Sequence, residues 1–138
     1  MASTLRLEIV TPESRAYSDD VEMVVLPAIE GEIGVYPQHV PLITAIKPGE
    51  LVVTKSGKQM HLAVGEGFVE ITAEKVSVLV DMALTEEAID EKAAEEAVKR
   101  AEARLKEEHI GSEEAALVQA AIAKSLAQLH VKRRRRSV

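Results

Sequence analysis

Residues 76–105 read VSVLVDMALTEEAIDEKAAEEAVKRAEARL, and the spacing of the apolar residues changes within this stretch. The three valines of VSVLV (76–80) alternate with other residues, which is the period of a half-buried β-strand. From Ile89 onward an apolar residue recurs at every fourth position, as it does along one face of an α-helix. The chain is therefore predicted to divide near Thr85 into a half built of strands and a half built of helices.

Before this stretch, the alternation typical of strands is repeated several times. LRLEIV (5–10) places leucine and isoleucine on one side and charged residues on the other. Turn residues separate such segments, most clearly in KSGK (55–58), which is typical of a β-hairpin. Short strands at this spacing predict an antiparallel β-sandwich or flattened barrel that ends near Asp81. We expect residues 1–84 to form this domain.

From Thr85 the pattern predicts two helices. Two glutamates follow Thr85 and suit the positive end of a helix dipole, so Thr85 is expected to cap the first helix. HIGS (109–112) interrupts the pattern and predicts a short link between two antiparallel helices. We expect residues 85–138 to form this hairpin and a basic tail. The predicted buried stripes are Ile89, Ala93, Ala97, Ala101 and Leu105 on the first helix, and Ala115, Val118, Ile122, Leu126 and Leu129 on the second.

Alanine dominates both predicted helices. Small side chains bury little apolar area, so the hairpin is expected to be held only modestly. It is then either a simple lid on the sandwich or an element that opens and changes partners.

The charge of the chain is unevenly distributed. The formal net charge is −6, yet residues 132–136 are consecutive cations, KRRRR. A protein that binds nucleic acid through a folded surface spreads positive charge over one face, which this acidic body does not do. Two alternatives use the tail alone: a nucleic-acid-binding adaptor whose tail contacts phosphates, and a nuclear targeting tag. The scarcity of aromatic rings on which bases could stack opposes the first alternative.

No constellation of residues in the sequence indicates catalysis. The chain has no cysteine, which excludes disulfides and thiolate metal sites. The histidines at positions 39, 61, 109 and 130 are scattered, and no pair has the spacing of metal ligands on one helix face. No apolar run reaches the roughly 18–20 residues that span a bilayer, and no signal peptide is recognised. We therefore predict no catalytic residue, no metal site and no cofactor.

One segment, GEIGVYPQHVPLIT (31–44), is too unusual for an ordinary sandwich sequence. It follows the pattern G-x-[LI]-G-[IV]-x-P-x-H-x-P-L-[LI]-T, and the chain resembles the epsilon subunit of bacterial F-type ATP synthase, called delta in mitochondria. The resemblance extends over the whole chain through LEIVTPE (7–13), VGEGFVEI (64–71) and AID (88–90). One departure is Gln38, where the family often has glycine. It is expected to leave the fold undisturbed if its φ angle is negative.

The resemblance implies a noncatalytic subunit of the central stalk of a proton- or sodium-translocating enzyme. The sandwich of such a subunit packs on the gamma subunit and on the polar loops of the membrane c-ring. By motif position, Glu30, Gly31 and Glu32 would face the c-ring, and His39 and Thr44 would face gamma. The protein would be peripheral, on the cytoplasmic side of the inner or plasma membrane. It would contact the membrane only through the c-ring and would not bind nucleic acid.

In this family the helical hairpin lies folded under the sandwich or extends along gamma toward the alpha and beta subunits. The extended form suppresses ATP hydrolysis. Some members bind ATP in the folded hairpin through the motif [IL]-D-x-x-R-A. Here Ala93 takes the arginine position, and Asp90, Lys92 and Arg100 remain as weak nucleotide candidates. Because a triphosphate needs cations to replace its hydration, we predict weak or no ATP binding.

The basic tail is expected to act as an inhibitory latch for the extended hairpin. Its like charges repel one another, so they are expected to resist folding back onto the protein. An acidic loop of each beta subunit would attract them through exposed pairs that salt weakens. The residues of this predicted latch are Lys132, Arg133, Arg134, Arg135 and Arg136.

Overall fold

The computed structural model describes residues 4–107 and 110–134. Within these residues, ten strands are followed by two helices, which confirms the predicted order of a β domain and a helical hairpin. His109, predicted to lie in the link between the helices, is outside the described residues. The strands are β1 (Leu5–Val10), β2 (Arg15–Val21), β3 (Met23–Ala28), β4 (Gly31–Val35), β5 (Leu42–Ile46), β6 (Gly49–Lys55), β7 (Lys58–Val64), β8 (Gly67–Ile71), β9 (Lys75–Val80) and β10 (Ala83–Thr85). The helices are α1 (Glu91–Leu105) and α2 (Ser112–Arg134).

The strands form one continuous sheet that folds into two layers. One layer has the order β10-β7-β6-β3-β4, and the other has the order β5-β8-β9-β1-β2. The layers are joined where β3 pairs with β5 through Ala28 and Ile46. The neighbours are antiparallel, as predicted, except that β1 and β9 run in parallel. Alternation could not reveal this exception, because it is the same in parallel and antiparallel strands.

The core lies between the two layers and follows the alternation of the sequence. Val76, Val78 and Val80 of β9 all point inward. Burying one aliphatic side chain of this size contributes about 1.5–3 kcal/mol relative to leaving it exposed. All members of the core cluster precede Asp81, so the sandwich fills its own core. The members are Leu5, Leu7, Ile9, Val21, Val24, Leu26, Val35, Ile46, Leu51, Val53, Leu62, Val64, Val69, Ile71, Val76, Val78 and Val80.

The β6–β7 hairpin confirms the turn predicted at KSGK (55–58). Lys55 and Lys58 form the last pair of the ladder. Between them, Ser56 and Gly57 have φ angles of 52° and 74°. Two successive residues with positive φ are typical of a type I′ turn, whose twist matches that of the flanking strands.

The start of α1 differs from the prediction. Thr85 is the last residue of β10 and precedes a single 3-10 turn, Glu86–Ala88, and its side chain makes no capping hydrogen bond. The residue that caps α1 is Asp90, whose carboxylate accepts a hydrogen bond of 3.0 Å from the backbone N–H of Ala93. The prediction of Thr85 as the cap is wrong because β10 pairs with β7. This pairing keeps the chain extended beyond the point where the apolar spacing changes.

The buried positions of both helices are shifted from the predicted stripes. On α1, Ala94 is buried and Ala93 is exposed. On α2, Leu129 is buried as predicted, but Ala127, outside the predicted stripe, is also buried and Leu126 is half exposed. The shift arises because α2 packs both against α1 and against β6 and β7. Alanine also gives several faces of each helix a similar hydrophobicity, so a single stripe could not be identified from the sequence.

Candidate functional site

The acidic turn predicted to face the c-ring is the tip of the β3–β4 hairpin. Glu30 lies in the turn and is exposed, and Gly31 and Glu32 begin β4. Gly31 pairs with Ala28 and has a φ angle of 132°, a conformation that favours glycine. Glu32 is also exposed, so both carboxylates of the turn lie at the surface.

A groove of about 580 Å³ begins beside this tip and runs along the surface of the sandwich. Ile29, in the turn, is 62% exposed and forms part of its wall together with Phe68 of β8. The groove joins the acidic tip to the apolar surface of β5 and β8. The other lining residues are Ala45, Ile46, Lys47, Pro48, Glu66, Gly67 and Asp81.

His39 and Thr44, which are predicted to face gamma, lie in different settings. His39 is half-buried in the loop between β4 and β5, where its Nδ1 is 2.5 Å from the carbonyl oxygen of Val40. Thr44 lies on β5 opposite Val69, so it is on the core-facing side of the strand. Its neighbour Ile43 lies on the outer side and is 66% exposed. Ile43 is therefore better placed than Thr44 to meet another subunit.

Gln38, in the same loop, has a φ angle of 70°. The condition under which this departure would leave the fold undisturbed, a negative φ angle, is therefore not met. The backbone N–H of Gln38 donates a hydrogen bond of 2.8 Å to the carbonyl oxygen of Ala73, which ties the loop to the β8–β9 turn. This tie holds Gln38 in a left-handed conformation that side chains disfavour.

An exposed apolar patch on the outer face of the second layer was missed by the sequence analysis. Ala45, Phe68 and Leu79 lie side by side on β5, β8 and β9, and Ile43 lies further along β5. Phe68 is 50% exposed. A signal was present, because Leu79 stands between two buried valines where a half-buried strand ordinarily has a polar residue. A contiguous apolar surface of this kind marks an interaction site.

The helix α2 lies across the outer face of the other layer, on β6 and β7. A small apolar cluster attaches it there, formed by Ala63 of β7, Ile89 before α1, and Ala127 and Val131 of α2. Two of these four residues are alanine, so the cluster buries little apolar area. Apolar packing therefore holds α2 more weakly than it holds the strands of the sandwich.

Polar side chains at every fourth position of α2 contact the part of the chain between β9 and α1, which includes β10. Because positions four apart lie on one face of a helix, Lys124, Gln128 and Lys132 form a row. The row fastens α2 to three residues of this part of the chain. Its contacts are Lys124 Nζ to Asp81 Oδ2 at 3.4 Å, Gln128 Nε2 to Met82 Sδ at 3.1 Å, and Lys132 Nζ to the carbonyl oxygen of Glu86 at 3.1 Å.

Arg133 joins the end of α2 to the start of α1. Its Nε donates a hydrogen bond of 2.9 Å to Glu91 Oε1, and its Nη2 donates to Glu95. The hydrogen bond to Glu91, with a further one to Glu95, holds the pKa of the Arg133 guanidinium above its ordinary value. The expectation that like-charge repulsion would keep the tail from folding back is wrong for Arg133 and Lys132, because oxygen atoms of the hairpin receive both cations.

The structure does not describe the contacts of the remaining residues of the predicted latch. Arg134 ends α2, and Arg135 and Arg136 lie outside the described residues. Because Lys132 and Arg133 are engaged by oxygen atoms of the chain itself, the structure does not favour a tail that presents them to nucleic-acid phosphates.

The nucleotide candidates do not form a site suited to an anion. Asp90 is used as the cap of α1, and Arg100 lies eight residues beyond Lys92, about 12 Å along the helix axis. A cleft of about 530 Å³ at the start of α1 would present more carboxylates than cations to a triphosphate. Its lining residues are Ile89, Asp90, Glu91, Lys92 and Glu95.

Residues 4–107 and 110–134 contain neither a candidate metal cluster nor a candidate membrane-spanning helix. No three His, Asp or Glu side chains of this part of the chain lie close enough together to hold a metal ion. Within the same residues, neither helix combines the length and the apolarity needed to cross a membrane.

Comparison with known proteins identifies relatives of the whole chain. A family model described as "ATP synthase, Delta/Epsilon chain, beta-sandwich domain" matches residues 4–86. The ATP synthase epsilon chain of Desulforamulus reducens is 44% identical over 105 residues, which are 76% of this chain and 80% of the relative. The ATP synthase epsilon chain of Dehalococcoides mccartyi strain BAV1 is 39% identical over 132 residues, which are 96% of this chain and 94% of the relative.

Solved structures share the same fold. A chain of the Euglena gracilis mitochondrial ATP synthase, solved as OSCP/F1/c-ring, superposes with a TM-score of 0.78 at 19% identity. This superposition covers 92% of the present chain and 80% of the Euglena chain. A chain from the central stalk and c-ring of the Tetrahymena thermophila mitochondrial ATP synthase gives a TM-score of 0.60 at 10% identity, with 93% and 96% covered.

Proposed function

Because this chain belongs to the ATP synthase delta/epsilon chain family, we propose that it is a noncatalytic subunit of the central stalk of an F-type ATP synthase. In this role it couples the rotor of a proton- or sodium-translocating enzyme to the catalytic head, and it inhibits ATP hydrolysis through its helical hairpin. Its partners are gamma, the c-ring and, for the extended hairpin, alpha and beta. It lies on the cytoplasmic side of the inner or plasma membrane and contacts the membrane only through the c-ring.

The observation that carries this proposal is a match that includes both halves of the chain. The alignment with the Dehalococcoides mccartyi relative covers 96% of the chain, so it includes the sandwich and the helices. The full chain, expressed with a purification tag in cells that contain the rest of the enzyme, should copurify with gamma, the c-ring, alpha and beta. Recovery of the chain without these subunits, even at low salt, would contradict the proposal.

We propose that the acidic tip formed by Glu30, Gly31 and Glu32 docks on the polar loops of the c-ring. Its exposed carboxylates can pair with basic groups, and a tight hairpin loses little entropy on docking. Glu32→Lys should reduce recovery of the c-ring, most strongly at low salt, because salt screens exposed pairs. Glu74→Lys is the matched control. It makes the same charge change at an exposed position in the β8–β9 turn, away from the acidic tip. Equal recovery with both variants would contradict this placement.

We propose that the apolar patch of Ile43, Ala45, Phe68 and Leu79 packs on gamma. The patch exposes large side chains that water solvates poorly, and burying them against a partner stabilises the assembly. His39 and Thr44 then belong to the same interface as supporting residues. His39 shapes the loop that leads into β5, and Thr44 holds β5 from its core-facing side.

A single charge placed in the patch tests its contact with gamma. Ile43→Asp should reduce the recovery of gamma with the tagged chain, because the carboxylate would be buried without a partner. Gln59→Asp is the control, since Gln59 is exposed on β7 in the other layer of the sandwich and the substitution places the same carboxylate there. If both variants recovered gamma equally well, the patch would not be the contact surface.

We propose that the chain divides its functions between residues 1–84, which dock on the rotor, and residues 85–138, which regulate hydrolysis. The small cluster under α2 supports this division, because it leaves the hairpin able to separate from the sandwich. A chain ending at Ala88, which keeps β10 and the 3-10 turn, should assemble normally and allow faster ATP hydrolysis than the full chain. Equal hydrolysis rates would contradict a regulatory role of the hairpin.

A further inference from the structure

Within the described residues, Arg133 closes the open end of the helical hairpin. Arg133 lies in the last turn of α2, and its guanidinium contacts Glu91, at 2.9 Å, and Glu95. These two glutamates are four residues apart, so they lie one turn apart on the same face of α1. The planar fork of a guanidinium can bridge two such carboxylates, which a lysine ammonium does less well.

The surroundings of this guanidinium favour a cation. Asp90, Glu91 and Glu95 line the cleft at the start of α1, where the helix dipole favours negative charge. Arg133 lies at the opposite end of α2, where the dipole favours positive charge. Both charges therefore lie at the helix ends that stabilise them, and the folded hairpin brings the two ends together.

Two lysines of α2 hold the helix in the same position. Lys124 pairs with Asp81 at 3.4 Å, and Lys132 donates to the carbonyl oxygen of Glu86 at 3.1 Å. Both acceptors lie between β9 and α1, one on each side of β10. Cations of α2 therefore fasten the folded hairpin at three places, while the apolar cluster beneath the helix is small.

We infer that Arg133 is an electrostatic clasp that keeps the hairpin folded against the sandwich. Arg133 pairs with two of the carboxylates that line the cleft at the start of α1, so this contact fastens the folded hairpin through the chain's own side chains. The effect of Arg133 is thus opposite to that of a latch for the extended form. Only its consequence for ATP hydrolysis rests on the proposed function, because folding of the hairpin is measured in the isolated chain.

The clasp biases the equilibrium between folded and open hairpins without locking it. Exposed ion pairs are individually weak, and salt screens them over about 8 Å at physiological ionic strength. The population of open hairpins should therefore rise with ionic strength.

The experiment measures the distance between two labels in the full chain, whose natural sequence contains no cysteine. The labels are attached to cysteines introduced at Lys58, in the tip of the β6–β7 hairpin, and at His130, which is exposed on α2. At low salt, Arg133→Gln should raise the ratio of open to folded hairpins about 2- to 10-fold, the range available to two exposed ion pairs. The difference from the unsubstituted chain should shrink in about 1 M salt, where charges are screened within about 3 Å.

Lys99→Gln is the matched control, since it removes one positive charge from the exposed part of α1. Glu95→Gln should also open the hairpin, and it should add nothing when combined with Arg133→Gln. The clasp would be overturned if Arg133→Gln opened the hairpin no more than Lys99→Gln did, or if its effect were the same at low and high salt. Should Arg133→Gln unfold the helices, as circular dichroism would reveal, Arg133→Lys replaces it. This variant keeps the positive charge, so its ratio of open to folded hairpins should still rise with salt. If that ratio did not change with salt, the clasp would also be overturned.

Discussion

Gln38 holds a backbone conformation that a residue with a Cβ atom rarely adopts. Its φ angle is 70°, and the left-handed region costs about 1–2 kcal/mol for residues other than glycine. Gln38→Gly removes this strain, although it also gives the unfolded chain more freedom. We expect the relief of strain to dominate and to raise the free energy of unfolding by about 0.5–1 kcal/mol, as measured by urea denaturation.

The matched control for this prediction is Gln59→Gly, in β7. Gln59 is exposed and is not among the residues with positive φ, so glycine relieves no strain there and weakens the strand. The two substitutions should change the free energy of unfolding in opposite directions. If both lowered it, the conformation of Gln38 would not be a source of strain.

Asp19 of β2 and Lys55 of β6 form a partly exposed ion pair. The hydrogen bond from Lys55, and a further one from the backbone N–H of Asp20, hold the pKa of Asp19 below its ordinary value of 3.8. The same bond holds the pKa of Lys55 above 10.5. A lowered carboxyl pKa stabilises the fold above pH 3.8, and this contribution is lost as the pH falls through the folded-state value. A raised lysine pKa stabilises it below pH 10.5 and is lost at more alkaline pH.

Asp19→Asn should therefore lower the free energy of unfolding at neutral pH. The gap between the variant and the unsubstituted chain should narrow as the pH falls below 3.8, and it should close once the pH has passed the lower folded-state pKa of Asp19. Denaturation at a series of pH values measures this gap, with Glu13→Gln in the β1–β2 turn as an exposed control. A gap that stayed constant across the acid range would show that the pair does not cause the pKa shift.

Among the elements, α1 depends on a cap that the sequence analysis did not identify. The Asp90 carboxylate accepts a hydrogen bond from the N–H of Ala93, whereas the Thr85 side chain caps nothing. Asp90→Ala should destabilise the helix by about 0.5–2 kcal/mol, measured as loss of helical circular dichroism on heating. Asp90→Asn keeps a capping oxygen and should therefore lose less stability than Asp90→Ala. Thr85→Ala should not change the stability of the helix. Equal effects of Asp90→Ala and Thr85→Ala would contradict this assignment.

The elements differ in how far the sequence determines them. The strands were predictable because alternating valine and leucine residues can all be buried only when they share one face of a β-strand. The turn at KSGK (55–58) was predictable because it requires residues that tolerate positive φ angles, as Ser56 and Gly57 do. The faces of the helices were not predictable, because alanine at many positions makes several rotations of a helix nearly equal in apolar area. The role of Arg133 was missed for a related reason. Its partners Glu91 and Glu95 are about 40 residues away in sequence, and no local pattern connects them.

The residues at the start of α1 also lead to a prediction about ATP. We expect Mg-ATP to bind the isolated chain with at best a millimolar dissociation constant in calorimetry. The reason is that Asp90, Glu91 and Glu95 line the cleft and would repel the triphosphate, while Ala93 supplies no cation. A micromolar dissociation constant would contradict this expectation and would direct attention to Lys92 and Arg100.

At the scale of the whole molecule, the two layers of the sandwich have different surroundings. The outer face of β6 and β7 is covered by α2, and the outer face of β5, β8 and β9 carries the apolar patch. The sequence shows that Leu79 and Phe68 are apolar residues at outward-facing positions of their strands. Only the register of the strands shows that the two residues are neighbours. This arrangement leaves the patch available for docking whether or not the hairpin is folded.

The same arrangement predicts that the hairpin loosens before the sandwich does. The core of the sandwich consists of large aliphatic residues from β1 to β9, whereas α2 is attached by a cluster half of which is alanine. Hydrogen exchange should therefore be faster for the amides of α1 and α2 than for those of β7 and β9, because opening of the hairpin costs less free energy than global unfolding. Salt should accelerate exchange in the helices more than in the strands, since cations of α2 fasten the hairpin whereas the apolar core holds the strands.

A chain ending at Ala88 provides the control for this last prediction. Its amides in β7 and β9 should exchange as slowly as those of the full chain, because every residue of the core cluster is retained. Faster exchange throughout the sandwich of the shortened chain would show that the helices complete its core. Equal protection of helices and strands in the full chain would show that the hairpin and the sandwich open together, and the hairpin could not then regulate hydrolysis by separating from the sandwich.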